Sequence, residues 1–115
     1  METEQFILNI GINEGYGHNN EKKDFYAQLC KTWQKLTDVG AMIYPVKTVY
    51  STQKGCPSGG EDTFIITGVR NPYYQADKLK WKEIVINVSN ELRKELKQVT
   101  AYLIFQEVEF HYLRN

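Results

Sequence analysis

Two cysteines, two histidines, two methionines and three prolines are few for 115 residues, and charge of neither sign is in excess, since 14 basic and 14 acidic residues cancel. Cys30 and Cys56 stand too far apart for a zinc or dithiol redox motif, and no disulfide framework follows from a single pair. Without a basic surplus, the bulk attraction to phosphate polymers that marks nucleic-acid binders is missing. No window is long and apolar enough to span a bilayer, and the opening METEQFILNI has neither a basic stretch nor an apolar core of the signal-peptide kind. The expectation is a cytoplasmic protein, with no membrane and no nucleic acid among its partners.

What remains suits one domain over residues 1–115: 42% of the residues are hydrophobic and 13% aromatic, enough for a core that stands without metal or disulfide. The charge is unevenly spread. Residues 21–60 and 78–98 each carry six basic against three acidic side chains, and these blocks largely coincide with the helices read below.

In QFILNIGIN, Phe6, Leu8, Ile10 and Ile12 alternate with the other residues, the period of two that marks a strand with one buried face, at about 5–13. EGYGHNN follows as a loop, with Asn19 or Asn20 placed to cap a helix. Phe25, Tyr26, Leu29, Cys30, Trp33 and Leu36 recur every three or four residues, predicting a helix over about 20–38 that Gly40 ends. AMIYPVKTVYS reads as a second strand at about 41–51, on an edge or at a bulge because Pro45 has no N–H for a ladder. After a hairpin loop comes a third strand at about 62–70, closed by Asn71-Pro72. Trp81, Ile84, Val85, Val88, Leu92, Leu96 and Val99 form the stripe of a long helix at about 75–99, and AYLIFQEVEFHYL a fourth strand at about 101–113.

Strand, helix, strand, strand, helix, strand is solved economically by a split βαβ arrangement, an antiparallel four-stranded sheet with two helices on one face and the other face open. At this level the chain resembles the α+β ferredoxin-like plait (βαββαβ). More loosely, it is similar to small uncharacterised bacterial proteins of that topology whose last strand follows directly on a helix, as in LKQVTAYLIFQEVEF. The likeness is one of layout without a shared motif, so it implies a fold and brings no catalytic residues across.

Three stretches could carry chemistry. SGGEDTFIITGVRNP holds a glycine-rich loop, but it opens a strand where a phosphate cradle would open a helix, and Glu61 and Asp62 would repel an anion. It reads as a hairpin. At the far end of that strand, Arg70 can clamp an anion with its guanidinium fork, and Asn71, Tyr73 and Tyr74 beside it, with Tyr16 from the first loop, add donors and stacking faces. In EVEFH, Glu107, Glu109 and His111 share one strand face and could act as acid and base, with His18 joining them if its loop folds over that end. The spacing is wide for a metal site, and neither metal nor cofactor is expected.

An RNA-recognition surface needs exposed aromatics on the central strands, whereas Phe6 and Phe64 fall on the core parity. The open face combines Ile7, Asn9 and Asn13 with Thr63, Ile65, Thr67 and Val69. It is too apolar to stay bare, which predicts a homodimer. The residues spell out no reaction. The first expectation is a non-catalytic domain binding a small anionic ligand or a partner protein. The rivals are a small dimeric plait-type enzyme using the His/Glu pair, and an inhibitor acting through a tyrosine-rich surface.

Overall fold

The computed structural model describes residues 1–11, 13–14, 18–19 and 25–114, the two short pairs by their backbone alone. In chain order the elements are β1 (Glu2–Gly11), β2 (Asn13–Glu14), β3 (His18–Asn19), α1 (Phe25–Leu36), β4 (Met42–Thr48), β5 (Glu61–Val69), α2 (Lys78–Glu95) and β6 (Ala101–Glu109). Four of the strands form an antiparallel sheet in the order β4-β5-β1-β6, while β2 and β3 pair only with each other, Asn13 opposite Asn19 and Glu14 opposite His18. β1 and β4, like β5 and β6, are therefore parallel and separated by one strand, each pair joined through a helix. This is the ferredoxin-like plait expected from the element order.

Burial alternates along β1 as its sequence requires, with Phe6, Leu8 and Ile10 facing the helices and almost wholly excluded from solvent. Trp33 of α1 and Trp81 of α2 pack on Phe6 from both helices, ring centroids 5.8 and 5.9 Å away, and Val85, Val88 and Leu92 complete the stripe against the sheet. Each such side chain contributes about 1.5–3 kcal/mol by leaving water. Gly68 lies opposite Phe6 in the ladder. A Cβ there would collide with the Gly40 carbonyl and the Phe6 ring, so close passage of the chain after α1 requires glycine.

Pro45 lies on β4, an edge strand, as its missing N–H demands. Element ends differ from the periodic reading for identifiable reasons. α2 begins later because Asp77 caps it, its side chain accepting from the Lys80 N–H at 3.0 Å. It stops before Val99 because Lys97 takes a left-handed φ of 54°. β6 is shorter than expected: its ladder with β1 ends at Glu109 opposite Glu2, and the Phe110 N–H reaches the Met1 carbonyl at 2.6 Å. β1 ends at Gly11, and the stretch read as a plain loop contains the small β2–β3 ladder. Residues 20–24 of the expected first helix lie outside the described residues. Among the described residues no helix is long and apolar enough to cross a membrane.

Candidate active site

Among the described residues no helix covers the other face of the sheet. Met42 and Tyr44 of β4, Ile65 and Val69 of β5, Ile7 of β1, and Tyr102 and Ile104 of β6 lie on it, with Tyr102 72% and Met42 65% exposed. Towards the end where β1 finishes and β5 begins, this apolar surface gives way to polar groups. Asn9 Nδ2 donates to Thr48 Oγ1 at 3.2 Å, and Thr48 Oγ1 lies 2.8 Å from Thr63 Oγ1, so one hydrogen-bonded chain ties three adjacent strands together.

Tyr50 continues the parity of Tyr44 and Thr48 past the end of β4, and its hydroxyl donates to Glu61 Oε2 at 2.9 Å. Glu61 is half-buried as the first residue of β5, opposite Thr48. The loop that returns the chain to it holds a 3-10 turn capped by Ser51, and then Gly59 and Gly60 with φ of 88° and 97°. Cys56 is buried within that loop, its Sγ 3.4 Å from the Pro57 carbonyl, and is not an exposed thiol.

The third wall comes from the turn after α2. Gln98 is buried, its Nε2 donating to the Leu96 carbonyl at 3.0 Å, and Arg93, itself braced on Asn90, donates to the Gln98 carbonyl at 3.0 Å. With its N–H end so engaged, the Gln98 amide points its oxygen at Gly11. A Cβ on Gly11 would stand 2.5 Å from Gln98 Oε1 and 3.5 Å from Glu61 Oε1. A carboxylate, an amide carbonyl, hydroxyls and a tyrosine ring thus gather at one sheet end, an acceptor-rich setting suited to a cation or to a ligand with several N–H or O–H donors.

The residues singled out from sequence lie mostly at the opposite end. Arg70 is buried, and its fork is engaged within the protein: Nε donates to Glu4 Oε1 at 2.6 Å, and one terminal nitrogen donates to the Gln75 carbonyl at 2.8 Å. Lys78 approaches the other Glu4 oxygen at 3.7 Å, while the Thr3 hydroxyl donates to the Arg70 carbonyl at 2.7 Å. Arg70 therefore organises the 71–77 turn. Asn71 Oδ1 accepts from the Tyr73 N–H at 3.0 Å. Tyr73 and Tyr74 are exposed and pack on Tyr112, centroids 5.8 and 6.4 Å away, with Arg114 over Tyr73 and Tyr112. The hydrogen bond with Tyr74, followed by its charge and slight desolvation, raises the Tyr112 phenol above its ordinary value of 10.0.

Of the proposed acid/base row, Glu109 and His111 meet, Oε1 to Nε2 at 3.4 Å, both well exposed. Glu107 is exposed on the same parity, across from Glu4. The side chains of Tyr16 and His18 lie outside the described residues. Among the described residues no three of His, Cys, Asp and Glu are grouped as a metal would require. Tyr50, Gln98 and Gly11 were not among the residues singled out from sequence, and Glu61 was set aside there. A signal was present in the parity Tyr44, Thr48, Tyr50 leading to the edge of a glycine-bounded loop. The contact of Gln98 with Gly11 joins residues distant in sequence that no periodicity connects.

No curated protein matches the sequence. Among solved structures, a phage SAM lyase in complex with S-methyl-5'-thioadenosine is 19% identical, with a TM-score of 0.65 over 91% of this chain and 81% of that one. A phage SAM lyase in the apo state is 15% identical, with a TM-score of 0.61 over 92% of this chain and 81% of that one. At these identities the likeness establishes the shared fold. The family model for SAM lyase matches residues 1–114. That match overturns the expectation of a non-catalytic binding domain and the lean away from an enzyme, and it replaces the loose likeness to uncharacterised plaits. Matched along nearly its whole length, the chain belongs to the SAM lyase family.

Proposed function

We propose that this chain cleaves S-adenosylmethionine at a carbon–sulfur bond and releases S-methyl-5'-thioadenosine. The family match over residues 1–114 carries the reading, and the molecule bound in the phage structure suggests the product. The leaving group is already activated: the sulfonium takes the electron pair of its bond to the methionyl Cγ and departs as a neutral thioether. A lyase adds no water, so Cγ must be satisfied from within the substrate. Either the substrate's own carboxylate oxygen closes on Cγ as a five-membered lactone, or a Cβ proton leaves and an alkene forms. Lactone closure joins a carboxylate to the carbon losing a cationic sulfur, so charge is annihilated and no base is needed. Such a step runs faster where water is excluded, because the attraction between opposite charges grows as the dielectric falls.

The polar end of the open face fits this substrate. Glu61 offers a negative charge and Tyr50 a ring face and hydroxyl to a cationic ligand, while Ile65 and Tyr102 beside Asn9 are apolar neighbours that limit hydration. A further copy of the chain packed on Met42, Tyr44, Tyr102 and Ile104 would cover the exposed apolar surface and wall the site.

Incubation of the purified chain with S-adenosylmethionine, followed by chromatography and mass spectrometry, tests the reading. S-methyl-5'-thioadenosine should appear with an equal amount of a four-carbon product. In ¹⁸O-water that product should first form without the label. Glu61→Gln should slow release by roughly ten- to a hundredfold, the value of a hydrogen bond to a charged group. Absence of S-methyl-5'-thioadenosine, or immediate ¹⁸O incorporation, would refute it.

A further inference from the structure

The two edges of the sheet differ. β4 is seven residues long and carries Pro45, whereas β6 runs for nine residues without proline. The Phe110 N–H bonds the Met1 carbonyl, and an antiparallel ladder bonds every second residue, so Val108, Gln106, Ile104 and Tyr102 turn their backbone groups to β1 while Glu107, Phe105 and Leu103 turn theirs outward. Among the described residues no strand pairs with that outer row. Such an edge is a template for a further strand. We propose that it docks an extended segment of another protein, whose inner side chains are apolar beside Leu103 and Phe105 and basic beside Glu107 and Glu109.

The flank of α2 supplies the apolar half of this surface. Trp81 and Lys82 both reach Phe105, with ring centroids 5.9 Å apart and Lys82 Nζ 5.4 Å from the ring centre. Leu79 and Ile86 share the flank of Lys82, by helical spacings of three and four, yet they are 76% and 50% exposed. Because α2 crosses back from β5 to the parallel β6, it runs against both, which sets Ile86 towards Leu103 and Leu79 towards Glu107. A strand laid along β6 would place every second side chain against this stripe and cover it.

Charge selects the occupant. Glu107 and Glu109 are exposed on the same parity, and Glu109 meets His111 at 3.4 Å. Two β6 strands paired about Ile104 or Phe105 would set Glu107 against Ala101 or Leu103 and bring the Lys82 of each copy to one seam. Neither sign would then find its opposite, which argues against a second copy. A foreign strand with lysine or arginine at these positions meets both carboxylates.

Fluorescence polarisation with a labelled synthetic peptide of nine residues, the length of β6, tests the proposal. Threonine occupies alternate positions; between them stand lysines placed to meet Glu109 and Glu107, then valines placed to meet Phe105, Leu103 and Ala101. A matched peptide carries glutamate for each lysine. The lysine peptide should bind the wild type roughly tenfold more tightly than the glutamate peptide, because two cross-strand pairs change from opposite to like charge, and Glu107→Lys with Glu109→Lys should invert the order. In hydrogen exchange, the outward N–H groups of Leu103, Phe105 and Glu107 should slow as the peptide saturates, while those of Ile104 and Gln106, already bonded to β1, change little. No saturable binding, equal affinity for the two peptides, or binding that leaves those three N–H groups unprotected would overturn the proposal. Protection of the same groups on raising the concentration of the chain alone would assign the edge to a second copy and overturn it as well. Neither readout involves S-adenosylmethionine, so either result leaves the proposed function where it stands.

Discussion

Replacing Arg70 by methionine should unfold the protein more readily than any change at the polar end of the open face. Arg70 and Glu4 have side chains only 8% and 7% exposed. Removing the cation strands a buried carboxylate, a defect that costs about 3–5 kcal/mol. Lys78, 3.7 Å from the other Glu4 oxygen, offsets part of this and moves the expectation to the lower end. Loss of the 2.8 Å bond to the Gln75 carbonyl adds about 1 kcal/mol and loosens the 71–77 turn. The total is about 3–4 kcal/mol, a drop in melting temperature of roughly 10–20 °C for a chain of this size. Urea titration followed by circular dichroism measures it. The double variant Glu4→Gln with Arg70→Met removes both charges and should recover at least half of the loss. Below the new midpoint, Arg70→Met should bind S-methyl-5'-thioadenosine as the wild type does. A single variant within 1 kcal/mol of wild type would refute the reasoning, because the pair would then contribute no more than an exposed contact.

Three further outcomes follow from other parts of the fold. Ser89 is buried on α2 with its hydroxyl lacking a hydrogen-bond partner among the described residues, so Ser89→Ala should leave stability unchanged or raise it by up to about 1 kcal/mol; a loss beyond 1 kcal/mol would point to a partner for the hydroxyl. The Tyr112 phenol, raised first by its hydrogen bond with Tyr74, should titrate above 10.0 in absorbance and return towards it in Tyr74→Phe; since the folded state holds this proton more tightly, its contribution to stability is complete below 10.0 and is lost as pH rises through the folded value. Ile104→Lys, on the open face, should abolish self-association in light scattering and reduce turnover, whereas a wild type that is monomeric at every concentration would count against a neighbouring copy covering that face.

The fold was legible because its elements repeat their chemistry. Phe6, Leu8 and Ile10 have the period of a half-buried strand, Trp81, Val85, Val88 and Leu92 that of a helix, and Pro45 marks an edge. Element order then left one economical topology. Arg70 illustrates the limit of such reading. Its position at the end of β5 was correctly placed, yet its partner Glu4 lies on another strand across 66 residues, and an arginine with a buried carboxylate beside it looks in sequence like one that awaits a ligand. The aromatic cluster of Tyr73, Tyr74 and Tyr112 likewise joins two distant segments that only the return of β6 alongside β1 brings together.

The site itself was hidden by an assumption about charge. Glycine-rich loops invite the thought of phosphate, and against phosphate Glu61 and Asp62 are disqualifying. The sulfonium substrate proposed above would reverse the sign. The carboxylate that argues against an anion at the start of β5 would then be an anchor for a cation. The glycines around it act through shape: Gly59 and Gly60 turn the chain so that Glu61 meets Tyr50, and Gly11 leaves space for the Gln98 oxygen. Asp62, the adjacent acidic residue, lies on the other parity and pairs with Lys47 at 2.7 Å, both side chains largely exposed. One carboxylate of the pair thus meets a tyrosine on the open face and the other meets a lysine, a division set by the alternation of the strand. Two adjacent acids that look equivalent in sequence therefore have separate fates, and the one on the open-face parity is the one to test for substrate.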